Sequence, residues 1–403
     1  MKIILAHKFF KYTGGAEVFF LETGRVLKEN GHEVAYFSTT AQDNIDSEYS
    51  NYFVTPPDYN NGGLIKRTLA IGNIIYSNKA KENFAALIRD FKPDIIHAFA
   101  IHVHLTPSIL EAAKEAGVPV VMSCNDYKHI CPNYKIFDGT HICEACKGGR
   151  FYNAVFKKCC KDSLVFSTAS AIEAYVHERK KVYDKLVDRY LFASEFMLNK
   201  TKEFWAKKTI DYGVMKNPFN ASQYHPVYQG DYALYFGRII SEKGVDRIIE
   251  AAKKTSIPIK IIGDGPDLHR LQQEVSKHGL SHVDFLGAMW GEELNQILYG
   301  ARFVIVPSLW HENFPYVIFQ AFSAGKPVIG SQRGGIPELV SEERGLLFDP
   351  DNVKELVACM DQLWNDTDQC KRMGQLARQY VETEFSDDVF YDSIMSNYKA
   401  VIS

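Results

Sequence analysis

The chain has 403 residues, of which 46% are hydrophobic and 24% are charged, and its formal net charge at pH 7 is −3. This length is sufficient for two or three domains with separate cores, and the composition is ordinary for a soluble globular protein. The small negative charge argues against a general nucleic-acid binder, which would carry a basic excess. The N-terminus lacks the features of a signal peptide, and no apolar run reaches the roughly 18 residues of a membrane-spanning helix. We therefore expect a cytoplasmic protein.

Short β-rich runs alternate with amphipathic helical stretches along almost the whole chain. In the first half the predicted strands are Lys2–Ala6, Val34–Ser38, Asp94–Ala98, Val120–Ser123 and Arg189–Ala193. In the second half they are Ala233–Gly237, Ile259–Ile262, Val283–Leu286, Phe303–Pro307, Val328–Gly330 and Leu346–Phe348. Such alternation predicts parallel sheets that are covered by helices on both faces. The predicted fold class is α/β, with two doubly wound, Rossmann-like domains that face each other across a cleft.

The boundary between these domains is predicted near residues 208–231, where Asn217-Pro218 and His225-Pro226 interrupt regular structure. An N-terminal domain would then comprise residues 1–210, and a C-terminal domain residues 211–380. Residues 381–403 are predicted to form a final helix with an apolar stripe, which could pack on either domain.

Four loops that follow predicted strands contain glycine, and ligands of doubly wound sheets bind at the carboxyl ends of the strands. These loops contain Gly14-Gly15, Gly237-Arg238 with Lys243-Gly244, Gly263-Asp264-Gly265-Pro266, and Gly334-Gly335. Glycine allows a backbone to approach a ligand closely, and the start of a following helix favours an anion. Because Arg238 and Lys243 add two cations, we predict that a diphosphate binds here. Each glycine loop, taken singly, could also be a simple turn.

Glu312 lies in a loop directly before a short apolar helix. Pro315 is predicted at the first helical position, and Gly325 is predicted to cap the end of this helix. The nearly continuous apolar character of residues 317–322 predicts that the helix is buried. A carboxylate beside the N-terminus of a buried helix indicates an oxygen-rich ligand, whose hydroxyl groups Glu312 would bind.

Together these motifs resemble a retaining glycosyltransferase of family 4 with the two-domain GT-B fold, and the resemblance covers essentially the whole chain. It implies that Arg238 and Lys243 bind the diphosphate of a nucleotide-sugar donor. It also implies that Glu312 and the backbone of residues 313–316 hold the donor sugar, and that the last helix packs on the N-terminal domain. The implied donor-binding residues are Gly14, Gly15, Arg238, Lys243, Gly265, Asn313, Phe314, Tyr316 and Gln320.

Two positions depart from the family pattern. Gln320 stands where the family signature has a second acid, eight residues after the first, and would meet the ribose of the donor. Eight helical residues would separate it from Glu312 by about 12 Å. Asn125 stands where many members have a histidine near the sugar. Both amides can still form hydrogen bonds with a substrate.

The resemblance implies that a hexose is transferred to a glycan or lipid-linked acceptor during synthesis of capsule, exopolysaccharide or lipopolysaccharide. Transfer would occur by front-face attack, without a protein nucleophile or a catalytic metal, and Glu312, Arg238, Lys243 and Asn125 would carry the chemistry. Asp349-Pro350-Asp351 is interpreted as a helix N-cap and not as a metal-binding motif. A nucleotide-sugar epimerase and a non-catalytic nucleotide-sugar-binding protein are the alternatives.

Six of the eight cysteines lie between Cys124 and Cys160, in an insert at about residues 124–163. In a reducing compartment such local density indicates a metal in preference to disulfides. The spacing predicts one structural zinc ion bound by Cys131, Cys143, Cys146 and either Cys159 or Cys160. A set of buried, reduced cysteines is the alternative.

The same region is basic, which predicts a positive face that could meet an anionic membrane carrying a lipid-linked acceptor. An ordinary solvated surface is the alternative. The basic residues are Lys128, Lys135, Lys147, Arg150, Lys157, Lys158, Lys161, Arg179, Lys180 and Lys181.

Overall fold

The computed structural model describes residues 1–56, 72, 74–206 and 208–402, and within them the chain divides into two compact units. The first unit comprises Met1–Ile136, Cys143–Pro218 and Asp388–Ser403, and the second comprises Phe137–Ile142 and Phe219–Asp387. In the described residues each unit has a sheet of six strands, and every neighbouring pair of strands is parallel. Both units are therefore Rossmann-like α/β domains, as the sequence predicts.

The observed strands agree with the predicted ones to within one or two residues at each end, with one addition. They are β1 Lys2–Ala6, β2 Glu33–Phe37, β3 Ile95–Ala98, β4 Val120–Cys124, β5 Arg189–Phe192, β6 Tyr212–Val214, β7 Tyr232–Phe236, β8 Ile259–Ile262, β9 Val283–Gly287, β10 Ala301–Val306, β11 Val328–Ser331 and β12 Gly345–Phe348. The addition is β6, whose three residues are too few to show a hydrophobic period. It lies at the edge of the first sheet, inside the predicted interdomain region.

Helices connect the strands as crossovers, and the described ones are α1 Gly15–Glu29, α2 Asn78–Phe91, α3 Ser108–Glu115, α4 Tyr152–Phe156, α5 Leu164–Lys180, α6 Val182–Lys185, α7 Glu195–Phe204, α8 Val245–Ala252, α9 Leu268–Lys277, α10 Gly291–Gly300, α11 Tyr316–Ser323, α12 Ile336–Leu339, α13 Val353–Asn365, α14 Thr367–Glu384 and α15 Asp387–Ile402. Short 3₁₀ turns occur at Ser50–Tyr52, Ala221–Gln223 and Ser241–Lys243. Among the residues described, no helix is both long enough and apolar enough to span a bilayer.

The strand order determines where each sheet can bind a ligand. The first sheet has the order β2-β1-β3-β4-β5-β6, and the second has the order β12-β11-β10-β7-β8-β9. The chain reverses its winding direction between β1 and β3 in the first sheet and between β7 and β10 in the second. Loops diverge at such switch points and leave a crevice beyond the carboxyl ends of the strands.

The last helix packs in the first unit, although more than 160 residues of the second unit precede it in sequence. Tyr398 is fully buried there, with its hydroxyl 2.8 Å from Nδ1 of His97 on β3. Arg189 at the start of β5 donates a hydrogen bond from Nε to Oδ1 of Asn397, over 2.9 Å. These contacts attach the C-terminal helix to the N-terminal sheet.

A buried ion pair attaches the segment after β4 to helix α5. Nζ of Lys128 lies 2.6 Å from Oε2 of Glu173, and both side chains are almost completely buried. Burial alone would lower the pKa of Lys128, but the charge of Glu173 and its hydrogen bond outweigh this and raise the pKa. Removing one partner of a buried ion pair strongly destabilises a fold, because the remaining charge is then buried without a counterion.

We predict that Glu173→Ala lowers the free energy of unfolding by about 3–5 kcal/mol, since it leaves the Lys128 ammonium buried without a counterion, with only the carbonyl of Pro132 as a hydrogen-bond acceptor. Glu178 on the same helix is a matched control, because it pairs with Lys208 at 2.8 Å but is half exposed. Glu178→Ala should cost only about 0–1 kcal/mol. Urea unfolding of the two variants measures the difference, and equal losses would contradict the assignment of a structural role to the buried pair.

Candidate functional site

The switch point of the second sheet brings together two loops that carry charged residues. The loop after β7 contains Arg238 and leads through a 3₁₀ turn to Lys243, and the loop after β10 contains Glu312. The backbone N–H of Leu309 donates to the carbonyl of Glu242 over 2.9 Å, which ties the two loops together. This is the place at which a doubly wound sheet binds its ligand.

Lys243 and Glu312 form an ion pair at this point. Nζ of Lys243 lies 2.5 Å from Oε1 of Glu312, and the hydroxyl of Ser308 donates to the same oxygen over 2.7 Å. Glu312 is buried, whereas Lys243 is partly exposed. The sequence predicts both residues at the site, and the structure adds that they contact each other directly.

The pKa of Glu312 reflects two opposing effects. Burial raises the pKa, whereas the charge of Lys243 and the hydrogen bonds from Lys243 and Ser308 lower it. The lowering effects prevail, so the pKa lies below its ordinary value and Glu312 is a carboxylate at neutral pH. The site therefore presents a fixed negative charge beside a partly exposed ammonium group.

Two glycines in left-handed backbone conformation allow these loops to approach each other. Gly244 has φ 68°, and a Cβ atom there would lie 2.1 Å from the carbonyl oxygen of Pro307. Gly334 has φ 62°, and a Cβ atom there would lie 2.0 Å from the carbonyl oxygen of Glu312. The N–H of Gly335 donates to that same oxygen over 2.7 Å. No residue larger than glycine fits either position, so these glycines determine where Lys243 and Glu312 lie.

The loop after β8 packs on the loop after β7 in the same way. A Cβ atom on Gly263 would lie 1.9 Å from the carbonyl oxygen of Gly237, and one on Gly265 would lie 2.2 Å from that of Ile239. The N–H of Ile239 donates to the carbonyl of Asp264 over 2.8 Å. The glycines of these loops thus serve close packing between backbones, whereas the sequence pattern indicates only contact with a ligand.

Arg238 extends away from this packed framework. Its side chain is exposed, and within the described part of the chain no carboxylate pairs with it. Its carbonyl accepts a hydrogen bond from the hydroxyl of buried Tyr235 over 2.7 Å, which holds the backbone in place. The guanidinium group is therefore available to an anion at the end of β7.

Helix α11 begins one residue later than predicted. Pro315 is the N-cap, with extended backbone, and Tyr316 is the first helical residue. Glu312 consequently lies in a loop, so a helical rise does not describe its separation from Gln320, and the estimate of about 12 Å does not apply. The end of the helix is as predicted, because Gly325 has φ 71° and its N–H donates to the carbonyl of Phe322.

The other predicted donor residues around α11 differ in what their side chains contact. Phe314 is buried, with its ring centroid 5.2 Å from that of Phe319, so only the backbone of Phe314 could contact a sugar. Gln320 donates from Nε2 to the hydroxyl of Tyr224 over 3.1 Å. Tyr224 also stacks on Phe219 and thus connects Gln320 to the aromatic packing at the start of this unit.

The first unit contains the remaining predicted residues, Gly14, Gly15 and Asn125, at the carboxyl edge of its own sheet. Gly14 is the N-cap of α1, and both glycines are exposed. Asn125 directly follows β4, and its Oδ1 atom is buried without a hydrogen-bond partner in the described residues. A buried amide oxygen without a partner is costly, which marks this position as a candidate ligand contact.

Sequence reasoning missed a group of histidines at the same edge, of which His7 and His102 are buried and His104 is half-buried. His7 follows β1, and His102 and His104 follow β3, so they flank the switch point of the first sheet. Burial lowers the pKa of His7 to about 3 and that of His104 to about 4, and it also places the pKa of His102 well below the ordinary value. These imidazoles are neutral at pH 7. Their spacing in sequence is irregular, and only the sheet topology brings them to one edge.

The cysteine insert does not show the predicted zinc site. In the described portion of the chain, no three His, Cys, Asp or Glu side chains form a group that could hold a metal ion. Cys131 instead donates from Sγ to Oδ1 of Asn133 over 2.9 Å. A hydrogen bond to Cys159 is the main cause that lowers the pKa of Cys160 to about 6. The zinc ligation predicted from Cys131, Cys143, Cys146 and Cys159 is therefore not confirmed. These thiols nevertheless lie within electrostatic reach of one another, since the pKa of Cys146 is raised by burial and also by Cys131, Cys143 and Cys160.

The expectation that Asp349-Pro350-Asp351 forms a helix N-cap is corrected. The N-cap of α13 is Asn352, whose side chain accepts from the N–H of Lys354, so the N-cap does not lie within Asp349-Pro350-Asp351. Asp351 instead pairs with Arg333 at 2.6 Å. Two residues do not contribute to the predicted positive face of the insert, because Lys128 is buried against Glu173 and Lys147 pairs with Glu203.

The buried histidines predict a specific response to pH. A histidine stabilises the fold when its pKa in the folded protein is lower than its pKa in the unfolded chain, which is about 6.5. This contribution to the free energy of unfolding is complete above pH 6.5, and it is lost as the pH falls from about 6.5 towards the pKa of the histidine in the folded protein. For a histidine with the pKa of His7, about 3, lowering the pH from 7 to 5 should reduce the free energy of unfolding by about 2 kcal/mol, and His102 should act in the same direction. His102→Leu should remove one such contribution, as measured by urea unfolding at both pH values. His278→Leu, at the exposed end of α9, is the control, and equal pH dependence in both variants would contradict the interpretation.

Comparisons with known proteins agree with this architecture. Residues 13–207 match the family model described as Glycosyltransferase Family 4, and residues 222–380 match the one described as Glycosyl transferases group 1. Together the two matches span most of the chain. The chain is therefore built from a family 4-like glycosyltransferase domain followed by a group 1 glycosyltransferase domain.

Curated relatives are distant. An uncharacterised glycosyltransferase of Methanocaldococcus jannaschii is 28% identical over 48% of this chain and 54% of its own length. The O-antigen chain mannosyltransferase C of Escherichia coli is 22% identical over 55% of this chain and 65% of its own length. The sulfoquinovosyl transferase SQD2 of Arabidopsis thaliana is 26% identical over 93% of this chain and 68% of its own length. The matches thus span about half to two thirds of the length of these relatives.

Solved structures with the GT-B fold resemble the whole chain. The sucrose-phosphate synthase of Thermosynechococcus elongatus superposes with a TM-score of 0.72 at 17% identity and covers 99% of this chain and 98% of its own. HepE of Anabaena, solved in complex with UDP, superposes with a TM-score of 0.68 at 17% identity, over 99% of this chain and 100% of its own. At this level of identity the likeness shows the fold alone.

Proposed function

We propose that this chain, built from the two domains of a GT-B glycosyltransferase, transfers a sugar from a nucleotide-diphosphate sugar to an acceptor hydroxyl with retention of anomeric configuration. The observation that carries the proposal is the Lys243–Glu312 pair at the switch point of the second sheet, with Arg238 beside it. Two cations at this position suit a diphosphate, and a fixed carboxylate suits a sugar ring that becomes positive during transfer. The acceptor proposed is a glycan or a lipid-linked sugar of a cell-surface polysaccharide.

Arg238 and Lys243 would bind the donor diphosphate. Arg238 presents an exposed guanidinium group, and Lys243 is exposed enough to contact a phosphate oxygen while its ammonium stays near Glu312. Gly265 and the backbone at residues 313–316 would border the donor, and Gln320 would contact the ribose. UDP in the HepE neighbour and the sugar transferases among the relatives support a nucleotide-sugar donor.

In the proposed reaction the bond between the anomeric carbon and the diphosphate breaks, and its electron pair leaves with the diphosphate. The acceptor oxygen attacks the same face of the sugar, and its proton passes to the departing phosphate oxygen. Arg238 and Lys243 stabilise the negative charge of the leaving group, while Glu312 stabilises the positive charge on the sugar. In the first unit, Gly14 and Gly15 would contact an anionic part of a substrate, and the unpartnered oxygen of Asn125 would orient a hydroxyl group.

We predict that Arg238→Ala and Lys243→Ala each weaken UDP binding, because each removes a charge-assisted hydrogen bond. The expected loss is about 1.5–3 kcal/mol, or roughly 10- to 150-fold in the dissociation constant measured by calorimetry. Arg270→Ala, which removes an exposed cation on α9, is the matched control and should leave the affinity unchanged. Unchanged affinity in both site variants would refute the diphosphate assignment.

We predict that Glu312→Gln lowers turnover by roughly 10²–10³-fold with little change in donor affinity, because the amide retains the shape but loses the charge that matters in the transition state. Glu343→Gln, at an exposed position in the same unit, should be without effect. NMR of the product before mutarotation should show the donor configuration retained. An inverted product would contradict the proposed mechanism, and isomerised donor without transfer would identify an epimerase instead.

A further inference from the structure

Helix α5 is oriented opposite to the usual arrangement of an amphipathic helix. Its buried positions include Ser167, Glu173 and His177, which are polar or charged. Its exposed positions include Leu164 and Val165, with exposed fractions of 54% and 62%. A helix on a soluble surface normally buries its apolar side chains and exposes its polar ones. Exposed apolar side chains therefore begin the outer face of α5, whereas the exposed residues at its C-terminal end, Glu178, Arg179 and Lys180, are charged.

The exposed apolar side chains of α5 lie on one face. At 100° per residue, Leu164, Val165, Ile172 and Tyr175 fall within an arc of roughly 100° of the helix. All four are exposed. The opposite side of α5 is buried and makes polar contacts with the rest of the unit. Glu173 pairs with Lys128, and the Ser167 hydroxyl accepts a hydrogen bond from the N–H of Cys160. The orientation of α5 is thus determined by buried polar contacts.

The neighbouring helix α4 extends this apolar surface. It packs against α5, and the N–H of Tyr152 donates to the hydroxyl of Tyr175 over 3.2 Å. Phe156 at its end is 81% exposed, and the ring of Tyr152 lies 6.1 Å from it, between centroids. We refer to Tyr152, Phe156, Leu164, Val165, Ile172 and Tyr175 as the α4–α5 apolar surface. Contiguous exposed apolar side chains of this kind mark sites of protein or membrane interaction.

Lysines lie next to the same surface. Lys157, Lys158 and Lys161 are exposed in the link between α4 and α5, where Nζ of Lys161 lies 4.9 Å from the centre of the Phe166 ring. Within residues 150–166 the sequence contains four basic residues and a single acid, Asp162. Aromatic and aliphatic side chains bordered by lysines are typical of surfaces that lie in the headgroup region of a bilayer.

We propose that the α4–α5 apolar surface docks on an anionic lipid membrane, with Phe156, Leu164 and Val165 inserted at the interface and the lysines against lipid phosphates. The positive charge of the lysines favours an anionic membrane over a second copy of the chain as the binding partner of this surface. A symmetric dimer through this surface would bring the same lysines of two chains together, whereas an anionic bilayer neutralises them. The proposal deepens the proposed function by placing the acceptor at a membrane, but it concerns lipid binding alone and requires no donor.

Sedimentation with vesicles of equal parts phosphatidylglycerol and phosphatidylcholine tests this proposal on the full chain. The wild-type protein should sediment with these vesicles, bind pure phosphatidylcholine much less, and dissociate at high salt. Two double variants should each weaken binding by about tenfold or more. They are Phe156→Ser with Val165→Ser, and Lys158→Glu with Lys161→Glu. Trp290→Ser and Lys277→Glu remove an exposed aromatic ring and an exposed cation of the second unit and should bind as the wild type does.

The possible outcomes separate the alternatives. No sedimentation of the wild type, or equal loss in the control variants, would overturn the proposal. A dimer detected by light scattering and abolished by Phe156→Ser with Val165→Ser would assign the surface to a second copy. UDP binding by calorimetry in the same variants serves as a check on folding, and it also distinguishes failure of the membrane proposal from failure of the proposed glycosyl transfer.

Discussion

The ion pair between Lys243 and Glu312 is the interaction on which the candidate site depends. A buried carboxylate requires a nearby countercharge, and here the cation comes from the loop after β7 while the acid comes from the loop after β10. These two strands are adjacent only because the second sheet reverses its winding direction between them. The pair also depends on Gly244 and Gly334, since a side chain at either position would overlap a carbonyl oxygen of the loop after β10.

The two units present different chemistry at the carboxyl edges of their sheets. In the second unit, a carboxylate and two cations form a charged site, in which Arg238 remains available to an anion. In the first unit, the corresponding edge has neutral imidazoles and the amide of Asn125, because burial keeps the histidines unprotonated. This difference is consistent with the proposed function, in which the charged site of the second unit binds the diphosphate of the donor.

The insert after β4 shows how buried polar contacts can determine which face of a helix is exposed. Glu173 and Ser167 turn the polar side of α5 inward, where Lys128 and the backbone of Cys160 contact them. The apolar side must then face outward, next to Phe156. The exposed apolar surface is thus a direct consequence of a buried ion pair, and substitutions at Glu173 would disturb both stability and the orientation of that surface.

The α/β class, eleven of the strands and the loops that carry Arg238, Lys243 and Glu312 could be predicted from the sequence, because strand periods and glycine loops are local patterns. Which of these residues contact each other depends on how the strands are arranged in the sheets. The Lys243–Glu312 contact and the placement of His7 at the same sheet edge as His102 follow from strand order. The contact of Tyr398 with His97 follows from the packing of the last helix on the first sheet. The zinc site predicted from the spacing of the cysteines is not confirmed, because no group of three candidate ligands forms in the described residues. Local patterns report the conformation of a segment, whereas a site requires the relative positions of several segments, which packing alone determines.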